Sequence, residues 1–543
     1  MIAFADTIIE PGVQTELTEV PDGLEPLAIA DLARLNGQKG DTEPLLVVLR
    51  DGRRLQTVRD ALRFFAPELA VIDIPAWDCM PYDRVSPNAD VTARRLAGLF
   101  RLAAGEKPNM VLTTIAAATQ RLIAPQTLKA RGLALRASAV AQMDAIVAWL
   151  EENGFSREPT VREAGQYAVR GGILDLFVPG EEAPVRLDFF GDTLETLRPF
   201  DPETQTSSGR LERLDLVPTS EVALNPDSIR HFRQSYVREI GVPASGDPMY
   251  EAVSEGRRFP GVEHWLPLFD DRLGTLFDHL PHAPVVLDAL NHDARLERLK
   301  QVRDYYQARV DAQEANSFGA PPYRPLAPER LYLTEDDWTA ALSGRSVTRL
   351  SPFAAAGGTE GKLVVSLGGR HGRTFAAERE ARNSNVFDAV ATHVKALHDA
   401  GKSVTIACWS AGSRDRMAGV LADHAVPNLR MVDRWAEVAG GRGVATALAI
   451  LPVESGFETE TDAVIAEQDI LGDRMIRASA RKRGKDVLTE VTSLSAGDVV
   501  VHADHGIGRF LGLKTIEAMG APHDCLELEY AGGDKLYLPV ENI

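Results

Sequence analysis

Residues 165–201 read GQYAVRGGILDLFVPGEEAPVRLDFFGDTLETLRPFD and say more about the fold than any other stretch of this chain. Short runs of alternating apolar and polar residues are separated by glycine and proline, as in antiparallel strands joined by tight turns. The pattern predicts strands over 167–170, 172–178, 185–190 and 193–197. It therefore predicts a small antiparallel unit at this point of the chain.

The sequence on either side of this unit has a different pattern. Residues 44–125 alternate apolar strands with amphipathic helices, for example helices over 55–65 and 91–102. A strand at 284–287 and a helix at 293–315 continue this pattern, and a further stretch at 362–467 repeats it, with a helix over 379–400. Alternating strands and helices favour parallel sheets covered by helices. We therefore expect a multidomain α/β protein, with the small antiparallel α+β unit inserted into its first α/β domain.

The last fifty residues contain four short strand-like runs separated by turns, which predicts a small β-barrel of the SH3/tudor type. Before them, residues 473–486 hold six basic residues and little apolar content, as expected of an exposed linker. These changes of pattern predict domain boundaries at 1–126, 127–215, 216–348, 349–470, 471–492 (the basic linker) and 493–543.

Composition limits the possible environments and partners. The chain of 543 residues has 59 Lys plus Arg against 78 Asp plus Glu, a formal net charge of −19. Such a charge repels nucleic acid at long range, so any DNA contact must come from a local basic patch. The three cysteines stand alone, and no apolar run approaches the roughly 18 residues that cross a bilayer. We expect a cytoplasmic protein without disulfides and without membrane contact.

The motifs of nucleotide hydrolysis are missing from this sequence. A phosphate loop needs GxxxxGK[ST] after a strand, and the nearest string, Gly401-Lys402-Ser403, lacks the first glycine and precedes its strand. No nucleophile elbow, HExxH motif or kinase set is present. We predict no catalytic residue, cofactor site or metal site in these residues, although catalytic pairs assembled from distant segments stay open.

The strand predicted at 185–190 is a candidate binding surface. Alternation places Val185, Leu187 and Phe189 on one face and Arg186, Asp188 and Phe190 on the other. An arginine beside an outward-facing aromatic residue is typical of an interface hot spot, and Arg170 of the preceding hairpin is a candidate member. The alternative is that Phe190 packs under a neighbouring helix, and the pattern favours neither interpretation.

The terminal unit offers a second candidate surface. Ile516 lies near the end of one predicted strand and Tyr537 lies on another. Exposed apolar residues at a sheet edge favour addition of a partner's strand. The alternative is that a unit of this size needs most of its apolar residues for its core, among them Leu526, Leu528, Leu536 and Leu538.

Three stretches resemble a known family. Residues 165–201 are similar to the module shared by the excision-repair protein UvrB and the transcription-repair coupling factors, and the stretch WDCMPYDRVSPNADVTARRLAGLFRL at 77–102 extends this similarity. The segment 497–543, which begins GDVVVHADHGIGRF, resembles the RNA-polymerase-interacting domain of the coupling factors, which is related to CarD regulators. UvrB has no such domain, so the order of modules points to the transcription-repair coupling factor (Mfd) family over nearly all of the chain.

This resemblance implies roles for particular residues. It implies that the first α/β domain is a degenerate UvrB-like domain without a phosphate loop. It implies UvrA binding by Arg170, Arg186, Phe190 and, as a weaker candidate, Asp188. It also implies binding of the RNA polymerase β subunit by a second set: Leu513, Lys514, Thr515, Ile516, Glu517 and Tyr537. The ATP- and Mg²⁺-dependent DNA translocase of the family would follow Ile543, so we expect no enzymatic activity from these residues.

The function implied is that of a docking protein in transcription-coupled nucleotide excision repair, which binds stalled RNA polymerase and recruits UvrA. One alternative is a UvrB-type damaged-DNA-binding helicase, which would need a phosphate loop. Another is a CarD-type transcription regulator, which leaves the hairpin around Arg170 unexplained. DNA contact is expected to be weak or indirect, through the basic linker at 474–485 if at all.

Overall fold

The computed structural model describes residues 4–40, 43–243, 246–314, 323–355, 361–381, 385–424, 426, 428–438, 445–472, 499–502, 506–518, 521–530 and 533–539. The predicted basic linker at 471–492 falls almost entirely outside the described residues. Within them, no helix is both long enough and apolar enough to cross a bilayer.

The strands are β1 Gln14–Thr18, β2 Leu45–Leu49, β3 Val71–Ile74, β4 Met110–Thr114, β5 Leu122–Ile123, β6 Leu133–Arg136, β7 Ala139–Val140, β8 Ser156–Arg157, β9 Gln166–Arg170, β10 Ile173–Leu176, β11 Val185–Phe190, β12 Thr193–Pro199, β13 Arg213–Leu216, β14 Leu273–Gly274, β15 Val285–Leu287, β16 Val347–Leu350, β17 Leu363–Ser366, β18 Arg370–His371, β19 Ser403–Cys408, β20 Leu429–Val432, β21 Thr446–Ile450, β22 Phe457–Glu458, β23 Asp462–Ala466, β24 Val499–His502, β25 Gly506–Ala518, β26 Ala521–Glu529 and β27 Lys535–Pro539.

The α-helices are α1 Glu25–Gln38, α2 Gly52–Phe65, α3 Ala89–Ala103, α4 Ile115–Ala118, α5 Pro125–Arg131, α6 Met143–Glu152, α7 Pro226–Glu239, α8 Pro248–Ser254, α9 Leu276–His279, α10 Asn291–Glu314, α11 Glu335–Leu342, α12 Ala376–Glu380, α13 Val386–Asp399, α14 Ala411–Asp423 and α15 Glu467–Leu471. Short 3-10 helices cover Asp6–Ile9, Val262–Leu268, Pro328–Arg330 and Trp435–Glu437.

The first sheet of the described chain is parallel, in the order β17-β1-β16-β15-β2-β4-β3. Both of its faces are covered. Leu45, Val47 and Leu49 of β2 pack with α1 and α2, and Leu46 and Val48 pack with α3 on the other face. Burial on both faces explains why β2 is a continuous apolar run rather than an alternating one.

The antiparallel unit predicted from residues 165–201 is present as a sheet in the order β7-β12-β11-β10-β9-β8. Its pairs are antiparallel except β8 with β9. The strand predicted at 172–178 is shorter and spans Ile173–Leu176. It begins one residue later because Gly171, with φ 60°, and its neighbour Gly172 form the turn before it. The mixed α/β architecture with several sheets is confirmed.

A third sheet, in the order β18-β22-β23-β19-β21-β20, belongs to the further α/β unit. One face packs on α13 and α14, and the other joins the core formed by α1 and α2 of the first sheet. The close approach requires glycine at position 23, because a Cβ there would lie 2.3 Å from the carbonyl oxygen of Ser455. These two α/β units therefore share one apolar layer.

The single helix predicted over 379–400 is wrong, because the chain forms two helices there, α12 and α13. The second helix begins with its own cap, since the Asn385 side chain accepts a hydrogen bond from the Phe387 amide. An asparagine that caps a helix stands outside it, so the boundary lies at this residue.

The last sheet is antiparallel, in the order β24-β25-β26-β27. Phe510, Leu526 and Leu528 form its small core, with Leu536 and Leu538 packed against them. The four predicted strand-like runs are thus strands. Closure of this sheet into a barrel, like the domain boundaries given above, stays a prediction.

Candidate partner-binding surfaces

The outer face of the inserted sheet brings together side chains from four strands. Asp175 lies directly opposite Arg186, and Arg186 lies opposite Arg198 on the next strand. Ile173 pairs with both Arg170 and Asp188, so all of these side chains share one face. The opposite face carries Val185 and Leu187 and belongs to the main core. The alternation predicted for residues 185–190 is therefore confirmed.

Arg186 is held mainly by its own chain. Its Nε and Nη2 donate to the two carboxylate oxygens of Asp175 at 2.7 and 2.8 Å. The guanidinium lies over the Phe200 ring, 4.9 Å from its centroid, and the side chain is only 17% exposed. Hydrogen bonding to the Asp175 carboxylate raises the pKa of Arg186 above its usual value. The arginine predicted as an anchor for a partner is thus fixed in a bidentate ion pair.

Asp188 and Arg198 form the next ion pair of this face. Nη2 of Arg198 lies 2.7 Å from Oδ2 of Asp188, and the same oxygen accepts from the hydroxyl of Thr196. The Arg198 side chain is 39% exposed and Asp188 is 23% exposed. The more accessible cation of the two pairs is therefore Arg198, not Arg186.

Phe190 is the exposed apolar residue of this surface. Its side chain is 78% exposed, so it does not pack under a helix. A β-bulge between Asp188 and Phe189 and the turn at Gly191, with φ 58°, place it at the tip of the β11–β12 hairpin. A phenylalanine this exposed leaves a large apolar area for a partner to bury.

Arg170 lies at the same end of the sheet as Phe190. The amide of Phe189 donates to the carbonyl oxygen of Gly172, which brings the tips of the two hairpins together. Arg170 is exposed, and its Nη2 donates to the carbonyl oxygen of Pro159 and to the hydroxyl of Thr160. The structure thus gathers Arg170, Asp188 and Phe190 near one edge, with Arg186 further along β11.

Sequence reasoning missed two members of this surface, Asp175 and Arg198. Asp175 lies on the strand predicted at 172–178, whereas Arg198 comes directly after the strand predicted at 193–197, which extends to Pro199 in the structure. Continuing the alternation along these strands would have placed both residues on the outer face. The sequence of β12 contains a pattern that indicates the outward position of Arg198, because Thr196 and Arg198 alternate with the buried Leu197. Cross-strand register, which the sequence does not give, was needed to pair them.

The second surface lies on β25. Among the described residues, β24 pairs only with the start of this strand, from Gly506 to Arg509, whereas β26 pairs with it from Arg509 to Ala518. The later part of β25 is thus hydrogen-bonded on one side only. Leu513 on this part is 42% exposed, Lys514 is exposed and Ile516 is half-buried. The side chains of Thr515 and Glu517 lie outside the described part.

Tyr537 belongs to a polar cluster on the same sheet. Its hydroxyl donates to Oε1 of Glu527 at 3.1 Å, and Nζ of Lys535 donates to the same oxygen at 2.8 Å. Lys514 lies over the Tyr537 ring, 5.2 Å from its centroid. Bonding to Lys535 lowers the pKa of Glu527. Two of the residues predicted for polymerase binding, Lys514 and Tyr537, are therefore in contact.

The alternative that apolar residues of this sheet serve as core holds for Leu526 and Leu528, which are buried. It does not hold for Leu513, which stays exposed. Across the described residues, no group of three or more His, Cys, Asp and Glu side chains is arranged to hold a metal ion.

Comparison with protein families identifies the domains that carry these surfaces. Residues 133–222 match the UvrB interaction domain, and residues 494–543 match the CarD-like/TRCF RID domain. The inserted sheet lies within the first range, and the β24–β27 sheet within the second. The chain is therefore a multidomain α/β protein that combines a UvrB interaction domain with a CarD-like domain.

Over nearly its whole length, the chain is similar to transcription-repair-coupling factors, and the resemblance seen in the sequence is confirmed. It is 31% identical over 501 residues to that of Rickettsia bellii, covering 92% of this chain and 43% of the relative. The factors of Haemophilus influenzae and Escherichia coli are 29% and 28% identical, each covering 45% of the relative and 99% or 98% of this chain. The chain thus spans less than half the length of the curated relatives it matches.

Proposed function

We propose that this chain is a docking protein of transcription-coupled nucleotide excision repair. In this proposal the β25 edge binds the β subunit of RNA polymerase, and the outer face of the inserted sheet recruits UvrA. The observation that carries the proposal is the presence, in one chain, of a UvrB interaction domain with an exposed Phe190 and of a CarD-like domain. In that domain, as far as the structure describes it, the later part of β25 is paired on one side only.

The inserted surface has the composition of a protein interface. A central aromatic residue ringed by polar groups is the usual arrangement of a hot spot, in which truncation costs about 2 kcal/mol or more. Phe190 supplies the aromatic residue, and Arg170 and the Asp188–Arg198 pair supply the polar rim. These contacts support UvrA as a partner that buries Phe190 and meets charges of both signs.

The terminal surface suits addition of a partner strand. Backbone groups of β25 that have no partner strand among the described residues would supply main-chain hydrogen bonds, and the exposed Leu513 and Lys514 would supply side-chain contacts. We expect Ile516, Thr515 and Glu517 to contribute along the same edge, and Tyr537 to steady Lys514. We also propose that this sheet closes into an SH3/tudor-like barrel.

The remaining assignments follow from the docking role. We assign no catalytic residue and no cofactor to this chain, and we expect it to act in the cytoplasm. DNA contact is expected to be weak, through basic residues of the linker at 474–485, and to fall steeply as salt increases.

A two-bait binding assay tests the proposal. The purified chain is offered UvrA and the RNA polymerase β subunit separately, without ATP and without DNA. We expect the wild-type chain to bind both partners. The Phe190→Ala variant should lose binding to UvrA only, and the Leu513→Asp variant should lose binding to the β subunit only. Loss of both partners in either variant, or no binding by the wild type, would contradict two separate docking surfaces.

A further inference from the structure

Arg186 has little hydrogen-bonding capacity left for a partner. A guanidinium has five N–H donors. Nε and one donor of Nη2 bind Asp175, and Nη1 approaches the carbonyl oxygen of Gln205 and the hydroxyl of Ser207, both at 3.4 Å. The stacked Phe200 ring covers one face of the guanidinium. What remains accessible is a small part of the side chain.

Asp175 depends on Arg186 in turn. The residue is 1% exposed, and both of its carboxylate oxygens accept from Arg186. Removal of the arginine alone would leave a buried carboxylate without its counter-charge. Leaving one member of a buried pair uncompensated costs far more than replacing both members by apolar side chains of similar size.

We propose that Asp175 is a positioning residue that fixes Arg186 as an internal brace of the UvrA-binding surface. In this arrangement Arg186 ties β11 to the loop at 201–207 and gives no charge to the partner. The contact itself is made by Phe190, Arg170 and Arg198. This inference rests on the function proposed above, because it explains how the surface for UvrA is held in shape.

If Arg186 is a brace, a second substitution at Asp175 should restore the UvrA binding that is lost when Arg186 is replaced. A direct contact between Arg186 and UvrA predicts no such restoration. Arg186→Met leaves Asp175 buried and unpaired, and we expect it to weaken UvrA binding at least 10-fold. Adding Asp175→Leu should restore the affinity to within 3-fold of the wild type, because the buried charge is gone. If the double variant binds as weakly as Arg186→Met, Arg186 contacts the partner and the inference fails.

Matched controls separate this effect from general damage. Phe190→Ala should not be rescued by Asp175→Leu, since Phe190 touches the partner in its own right. Affinity for the polymerase β subunit should be unchanged in every variant, and a variant that loses it is misfolded. Asp175→Asn, which keeps the size of the side chain, offers a second test. It should weaken UvrA binding less than Arg186→Met, because the charge left unpaired is then that of the partly exposed Arg186 and not that of the buried Asp175. An equal or larger loss would oppose the brace.

Hydrogen exchange of the chain alone tests the brace without UvrA. We expect amides at 201–207 to exchange at least 10-fold faster in Arg186→Met and to return towards the wild-type rate in the double variant. Unchanged exchange in Arg186→Met would overturn the inference even if UvrA binds. Conversely, absence of UvrA binding by the wild type would overturn the proposed function, while the exchange result would still decide on the brace.

Discussion

Arg95 and Glu221 form an ion pair that is completely buried, with Nε of Arg95 2.9 Å from Oε1 of Glu221 and side-chain exposures of 0% and 1%. Arg95 lies on α3, and Glu221 lies in the segment through which the chain returns from the inserted sheet. The indole nitrogen of Trp77 also donates to Glu221, at 2.9 Å. A buried polar network therefore anchors the UvrB interaction domain to the first α/β domain.

The first prediction concerns this anchor. Arg95→Ala leaves the Glu221 carboxylate buried without its counter-charge, and we expect the free energy of unfolding to fall by about 3–5 kcal/mol. Urea unfolding followed by circular dichroism measures the change. The neighbouring Arg94, which is 56% exposed, provides the control. Arg94→Ala should change the free energy by about 0.5 kcal/mol or less, and equal effects of the two variants would contradict the assignment.

The second prediction concerns the exposed aromatic residue. Phe190→Ala should weaken UvrA binding by about 2 kcal/mol, roughly 30-fold, because the partner loses the apolar area it buries. The midpoint of thermal unfolding should not change, since Phe190 contributes little to the core. Val140, 83% exposed on β7 of the same sheet, is the matched control. A similar loss in Val140→Ala would show that the effect is not specific to the Phe190 tip.

The third prediction concerns the edge of β25. Leu513→Asp places a charge on the part of the strand that is paired on one side, and we expect at least a 10-fold loss of affinity for the polymerase β subunit. Ile507, 68% exposed on the part of β25 that pairs with β24, is the control. Ile507→Asp should bind normally. Surface plasmon resonance with immobilised β subunit measures both variants, and the reverse order of effects would place the contact elsewhere on the sheet.

The fourth prediction concerns pH. Asp288 follows β15, and burial, together with repulsion by Glu25, raises its pKa to about 7. Its Oδ2 accepts from the Arg50 amide at 2.9 Å, whereas Oδ1 finds no hydrogen-bond partner among the described residues. In the unfolded chain this carboxyl ionises near pH 4. Between pH 4 and 7 only the unfolded state loses the proton, so the folded state loses stability as the pH rises.

Asp288→Asn removes this titration, because an amide has no proton to release in this range. Between pH 5 and 8 we expect the variant to gain about 2–3 kcal/mol of stability relative to the wild type. Thermal unfolding at pH 5, 6, 7 and 8 measures the difference. Asp304→Asn, at an exposed position of α10, is the control and should show no such trend. A difference that is constant with pH would mean that Asp288 is ionised in the folded protein.

Two secondary-structure elements show how accurately the sequence predicts the fold. The helix predicted at 91–102 appears as Ala89–Ala103, and the strand predicted at 185–190 appears with the same bounds. Both have strong apolar periodicity and clear end signals, such as Asn88, whose side chain accepts from the Asp90 amide at the start of the helix. The break in the helix predicted at 379–400 was missed although residues 382–385, Arg-Asn-Ser-Asn, are all polar and Asn385 is a typical helix cap.

The candidate binding surface could be predicted only in part from the sequence. Alternation along β11 placed Arg186 and Phe190 on one face, and resemblance to coupling factors gave them a common role. Neither the alternation nor the resemblance shows that Arg186 forms an ion pair with Asp175 while the Phe190 side chain is exposed. The two residues of that ion pair are brought together by strand register, which the sequence does not give. Exposure likewise depends on what the rest of the chain covers.

By itself, the sequence determined the α/β alternation, the inserted antiparallel strands, the lack of a phosphate loop and the order of modules. Each of these depends on periodicity or on residues adjacent in the chain. Tertiary structure alone decided which charges are paired and buried, such as Arg95 with Glu221, and which part of β25 is paired on one side only within the described residues. These relationships join residues far apart in sequence, and their energies depend on the exclusion of water, which only the folded chain provides.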